Sequence, residues 1–152
     1  MANKDKWENL DAFRMTQAEI DEIINEATGC SVCWVRPDGH PLSVWVSHAV
    51  FDGNLWVTTT TNRPKTRAWQ RDPRTSLVFG IAGKGAVTVV GRVEISEDPK
   101  LRHRFLQALA DKSQMPAEQR DLWFLHMDTE GRVTGRIAVE KYITFDERKL
   151  VW

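Results

Sequence analysis

Hydrophobic residues follow two periods along this chain, helical near the start and alternating from residue 29 onward. Ile20, Ile23, Ile24 and Ala27 recur at helical spacing behind Thr16-Gln17-Ala18-Glu19, the signature of a capping box, and Gly29 offers a stop. An amphipathic helix over 17–28 is predicted. From Gly29 apolar and polar residues alternate and turn residues arrive at short intervals, which is the pattern of hairpins. Strands are predicted at 30–36, 41–50 and 54–61, separated by Pro37-Asp38-Gly39-His40 and by Asp52-Gly53. In the second of these, Leu42, Val44 and Val46 fall on one face, with Ser43, Trp45 and Ser47 on the other.

Pro64 suits the first position of a short helix running to about Arg71, because proline has no amide hydrogen to lose there, and Asp72-Pro73 ends it. Strands at 75–82 and 86–95 follow across Gly83-Lys84-Gly85, with Gly91 marking a bulge or a barrel corner. Asp98 caps a helix from Pro99 with Leu101, Phe105, Ala108 and Leu109 on one stripe, and a further helical stretch starts at Pro116. Strand patterning returns over 132–145, with Ile137 and Val139 assigned to one face. About six strands, mostly joined as hairpins, with three or four short helices, predict a mainly β fold: a closed or partly closed antiparallel barrel with flanking helices. No repeat or linker divides the sequence, so residues 1–152 are read as a single domain.

With 41% hydrophobic and 28% charged residues the chain is neither disordered nor collagen-like. Twenty-one basic residues balance twenty-one acidic ones, so its net field does not favour nucleic acid or an anionic membrane surface. Apolar runs fall far short of the ~20 residues a membrane span needs, and Met1 to Lys6 contains no apolar leader. A cytoplasmic protein with no nucleic-acid or membrane partner is the expectation. Cys30 and Cys33 form a C-x-x-C spacing, but four zinc ligands are not available and the segment reads as a strand rather than the helix start of a redox motif. The four histidines lack metal-ligand spacing, so no metal is expected, and no G-x-G-x-x-G or P-loop pattern is present.

The stretch from Leu55 to Trp69 concentrates chemistry. Thr58, Thr59, Thr60 and Thr61 end a strand, and Arg63, Lys65 and the free amides of a starting helix follow at once, which together suit a phosphate. The same residues read equally well as good strand formers followed by a solvated basic face.

Arg63-x-Lys65-x-Arg67 followed by Arg71-Asp-Pro-Arg-Thr-Ser-Leu-Val-Phe79 resembles the pyridoxamine 5′-phosphate oxidase-like split-barrel superfamily, in its flavin and deazaflavin oxidoreductase branch. Ala86 to Ile95 and Arg136 to Asp146 resemble that family's central and final strands, so the similarity spans about residues 14–150. The resemblance implies a six-stranded antiparallel split barrel of the FMN-binding type. It also implies a homodimer holding FMN or the deazaflavin coenzyme F-420 in a groove shared by the subunits, and hydride transfer to or from a small conjugated substrate. The family's phosphate site maps to Thr60, Arg63 and Lys65, and Ser43, Trp45, Val46, Thr58 and Thr59 map beside the ring and ribityl chain. Pyridoxamine phosphate oxidases themselves carry Ser-Arg-Lys where this chain has Arg63-Pro64-Lys65, and a Gln where it has Ala86, so the resemblance is to the general branch and not to vitamin B6 oxidation. The alternative it leaves is a non-catalytic protein that binds or senses a flavin or a haem-related tetrapyrrole. Of seven tryptophans, Trp45 and Trp123 are candidates to wall a substrate space, while Trp7 and Trp152 are expected to be tied down against the barrel or a partner.

Overall fold

A computed structural model describes residues 9–151, which leaves Trp7 and Trp152 outside the described residues. The first helix, α1 (Gln17–Glu26), begins with the predicted capping box: Thr16 Oγ1 accepts from the Glu19 amide and Glu19 Oε2 accepts from the Thr16 amide at 2.7 Å. It buries Ile20, Ile23 and Ile24 and ends two residues earlier than predicted, with Ala27 as its cap. Gly29 is not left-handed and does not stop the helix. A Cβ there would lie 2.6 Å from the indole nitrogen of Trp45, so this glycine is a seat for the tryptophan.

Seven strands follow in chain order with helices between them: β1 (Cys30–Val35), β2 (Pro41–Val46), β3 (His48–Phe51), β4 (Asn54–Thr60), α2 (Pro64–Arg71), β5 (Arg74–Ile81), β6 (Gly85–Ser96), α3 (Pro99–Lys112), α4 (Ala117–Met127) and β7 (Arg132–Asp146). They form one antiparallel sheet in the order β2-β1-β5-β6-β7-β4-β3. The count is seven rather than six because the strand predicted at 41–50 is two strands. At Ser47 the chain leaves β1, with which β2 pairs, and crosses to β4, with which β3 pairs. The two edges of the sheet are therefore consecutive in sequence, and the sheet curls into a split barrel with flanking helices.

The concave side encloses the main core, which takes Val32, Leu77, Phe79, Val87, Val89 and Ile137 from the strands and Ile23 from α1. Trp69 of α2 also lies in that core. A second cluster forms on the other side of β3 and β4, where α3 sets Phe105 and Leu106 against Ala49 and Trp56. The C-x-x-C residues sit three apart on β1, so they face opposite sides: Cys30 is buried and Cys33 is half-buried. Among the described residues, no helix is long and apolar enough to cross a membrane.

Gly91 does sit at a bulge, but the extra residue belongs to the partner strand. Val90 pairs with Lys141 and Gly91 with Val139, leaving Glu140 unopposed. The insertion follows Val139, so Ile137 and Val139 keep the common face that patterning assigned them, opposite Val93 and Gly91; Ile137 is buried, while Val139, next to the bulge, is 40% exposed. The backbones approach closely here: a Cβ on Gly91 would meet the Ala138 carbonyl oxygen at 2.3 Å, whereas one on Gly80 would meet nothing within 4 Å. Urea unfolding is therefore expected to show Gly91→Ala losing roughly 1–3 kcal/mol and Gly80→Ala losing none; equal behaviour of the two contradicts the close approach.

His48 is wholly buried, with its ring edge against Phe79 and Nε2 2.6 Å from the Ile24 carbonyl oxygen. Burial pushes its pKa down from 6.5 to about 4. The unfolded chain thus binds a proton at a pH where the folded one does not, so stability falls as the pH drops from about 6.5 to about 4 and is recovered above 6.5. Denaturation midpoints taken across that window should reveal a loss on the order of 3 kcal/mol that is absent from a His48→Gln variant.

Candidate functional site

The end of β4, the start of α2 and the start of β7 meet at one corner. In β4 the half beyond Val57 has β7 on one side and, among the described residues, no strand on the other, because β3 begins at His48 opposite Val57. Strand β2 is likewise paired on one side only, with β1. The split in the barrel runs between these two open edges, and the sequence-predicted residues are distributed along it.

Hydroxyl groups weld α2 to β4. The Thr66 hydroxyl donates to the Thr60 carbonyl oxygen at 2.7 Å, so its contact with Thr59 at 3.0 Å is made by the Thr59 hydroxyl donating to Thr66. Thr59 is thereby buried and directed into the helix contact. Thr60 Oγ1 donates to Asn62 Oδ1 at 2.6 Å, and the Thr60 carbonyl oxygen also accepts from the Arg63 amide at 3.1 Å. Thr58 donates to the Val133 carbonyl oxygen at 2.9 Å, leaving its lone pairs toward Arg132, whose Nη1 lies 3.5 Å away.

Arg63 caps α2 with extended backbone geometry but no side-chain hydrogen bond, and Pro64 occupies the first helical position. The Lys65 amide of this first turn has no intrahelical partner by helix geometry, so the positive end of the helix is left open to an anion. Lys65 is half-buried. Its ammonium is held below its usual pKa first by burial, then by Arg63 and by Arg132. Arg132 is also lowered, by burial first and then by Arg63 and Arg102. Its Nε donates to the Met127 carbonyl oxygen at 2.6 Å, which anchors the guanidinium at the end of α4. Among the described residues no carboxylate pairs with Arg63, Lys65 or Arg132, whereas Lys84, Lys149 and Arg148 all do.

Arg132 was not among the residues singled out from the sequence. It is opposite Thr60 in the β4–β7 register, seventy-two positions away, and nothing local to it marks a site. Thr66 was missed for a similar reason, since a threonine inside a helix gives no sign that it bonds a strand.

Ser43 and Trp45 lie on the outward face of β2, where the Ser43 and Ser31 hydroxyls are in hydrogen-bond contact and Trp45 is 63% exposed over Gly29. Val46 faces the other way and packs against the core. Strand alternation thus divides the predicted β2 residues between two faces, while Thr58, Thr60, Arg63 and Lys65 are brought to one corner with Arg132. Trp123 is on α4 against Phe124, on the second cluster. A cleft of about 340 Å³ bounded by Cys33, Trp34, Asp72 and Thr75 includes none of these corner residues.

A profile described as pyridoxamine 5′-phosphate oxidase matches residues 16–145, most of the chain. The chain belongs to the pyridoxamine 5′-phosphate oxidase family. Members of that family bind flavins. Among solved structures, a conserved hypothetical protein from Mycobacterium tuberculosis is similar over 91% of this chain and 89% of its own, with 28% identity and a TM-score of 0.80. An F-420 reductase is similar in fold, with 23% identity, a TM-score of 0.64 and coverage of 81% of this chain and 94% of that one. A FAD-binding protein from Mesorhizobium loti matches at 20% identity and a TM-score of 0.64, over 87% of this chain and 95% of that one. No curated protein is similar enough in sequence to count as a relative.

Three unneutralised cations make the corner sensitive to a phosphate. Inorganic phosphate at about 100 times its dissociation constant is expected to stabilise the fold by about 2.7 kcal/mol, or roughly 5–10 °C in Tm. Thermal melts of Lys65→Ala and Arg132→Met should lose most of that increment; an undiminished shift in both would place the anion elsewhere.

Proposed function

We propose that the chain binds FMN or the deazaflavin coenzyme F-420 by its phosphate at Arg63, Lys65 and Arg132, and acts as an oxidoreductase on a small conjugated substrate. The observation that carries this reading is the corner itself: three cations, two of them half-buried, with no carboxylate partner among the described residues, beside a helix start with no side-chain cap. Charges arranged in this way leave an electrostatic cost that a dianion removes. Family membership supports the reading, and so does the fold shared with an F-420 reductase and a FAD-binding protein.

The residues present fit such a group. Lys65 supplies a point charge, Arg63 and Arg132 supply planar donors, and the Lys65 amide at the start of α2 adds a dipole aimed the same way. Thr60 is on the β4 edge beside them, and Thr58 orients Arg132. When bound, a flavin or deazaflavin ring supplies the two-electron chemistry, and the protein contributes binding, orientation and exclusion of water. Ser43 and Trp45 stand on the opposite lip of the split, where the indole offers a flat apolar wall.

A homodimer is part of the proposal. Trp45, Ser31, Val78, Thr88 and Ile143 form one row across the outer face of the sheet, and Trp45, Val78 and Ile143 are 63%, 38% and 56% exposed. A second copy packed on that row would turn the split into an enclosed groove.

Titration with FMN and with F-420, followed by quenching of tryptophan fluorescence, tests the reading directly. Lys65→Ala is expected to raise the dissociation constant of the tighter ligand at least tenfold, about 1.4 kcal/mol. No quenching by either compound, or affinity unchanged in Lys65→Ala, removes the assignment. Binding without reduction of the ligand by a nicotinamide, or without its reoxidation by an acceptor, leaves a carrier or sensor instead.

A further inference from the structure

The last turn of α3 holds a second half-buried lysine, remote from the cationic corner and sharing no residue with it. Lys112 lines a cleft of about 520 Å³ with Thr28, Ser47, Leu109, Ser113, Met115 and Trp123. Glu26 is at the same cleft but is engaged by Lys84 at 2.7 Å, and among the described residues no carboxylate pairs with Lys112. Its Nζ lies 2.8 Å from His48 Nε2, the nitrogen that is itself 2.6 Å from the Ile24 carbonyl oxygen.

That geometry assigns protons. Two acceptors do not approach to 2.6 Å without a hydrogen between them, so Nε2 carries the proton and donates it to Ile24. An N–H nitrogen offers nothing to an ammonium, which is only a donor; a neutral amine, by contrast, has a lone pair that shares the Nε2 hydrogen. The surroundings act in the same direction. Burial is the first cause holding Lys112 below its usual pKa, the His48 ring is neutral, and burial pushes the nearby Cys30 thiol up to about 12, so it carries no charge.

We propose that the Lys112 amine is a carbonyl-capturing nucleophile that forms a reversible imine with an aromatic aldehyde seated against Trp123. When the amine turns from His48, whose N–H stays with the Ile24 carbonyl oxygen, the freed lone pair adds to the carbonyl carbon while the C=O π pair moves to oxygen, and a proton passes from nitrogen to that oxygen. The resulting carbinolamine loses its hydroxyl oxygen with a second nitrogen-bound proton as water, leaving a C=N bond. Nothing is oxidised or reduced, and no co-reactant is required. Ser47 and Ser113 line the same cleft and supply hydroxyl donors for the departing oxygen. His48 is a positioning residue here, because it holds the amine by its N–H and does not touch the aldehyde.

Benzaldehyde followed by borohydride, with peptide mass mapping of the intact protein, tests this. At pH 7, labelling of Lys112 is expected to exceed that of exposed Lys100 about tenfold, because burial and the His48 N–H favour the free amine at Lys112. The rate at Lys112 should reach half its maximum at a lower pH than the rate at Lys100. Inorganic phosphate should protect Lys65 and leave Lys112 labelled, which separates this site from the cationic corner. Labelling of Lys112 no greater than that of Lys100, coincident pH midpoints, or total labelling unchanged in a folded Lys112→Arg variant would each overturn the proposal.

Discussion

Ser47 joins the two outermost strands of the sheet, and the geometry of that one residue shapes the rest of the molecule. Seven strands about 4.8 Å apart place the outer axes of a flat sheet roughly 29 Å from one another. The Cα atoms on either side of Ser47 are at most about 7 Å apart. The sheet has to curl until its edges meet, which creates an inside for Leu77, Phe79, Val87 and Val89 and an outside on which α3 rests. Closure stops short of hydrogen bonding between β2 and β4, so the far half of β4 keeps a bare edge.

That bare edge is where the cations gather, and neutral hydrogen bonds keep them there. The Thr59–Thr66–Thr60 chain fixes α2 against β4, and the Met127 carbonyl oxygen fixes Arg132. Arg63 and Arg132 act against the charge on Lys65, and Arg63 against that on Arg132, a cost that a bound anion would relieve. Other clusters of the protein pair their charges: Lys84 with Glu22 and Glu26, Arg148 with Asp146 and Glu22, Arg136 with Glu94. The contrast gives the unpaired corner its meaning.

Lys65 and Lys112 illustrate how one side chain acquires two chemistries. Both are half-buried, and both are held below the usual lysine range with burial as the first cause. Beside Lys65 stand two arginines, so what the site lacks is negative charge. Beside Lys112 stands a neutral imidazole whose proton is already directed at a carbonyl, so what that site favours is a free lone pair.

Local rules written along the chain carried much of this fold. The capping box of α1, proline at the first position of α2, the aspartate cap of α3 and the period-two strands all depend on neighbours a few residues away, and each formed where patterning placed it, to within a residue or two. The resemblance in residues 58–79 likewise pointed to a split barrel, and the threonine and cation corner was visible because Thr60, Arg63 and Lys65 are close in sequence. Tertiary structure alone decided what depends on partners far along the chain. It broke the 41–50 strand at Ser47, because only closure of the sheet requires the break. It inserted Glu140 after Val139, because a bulge exists only relative to β6. It also brought Arg132 to Thr60, and Lys112 to His48, across separations that no periodicity spans.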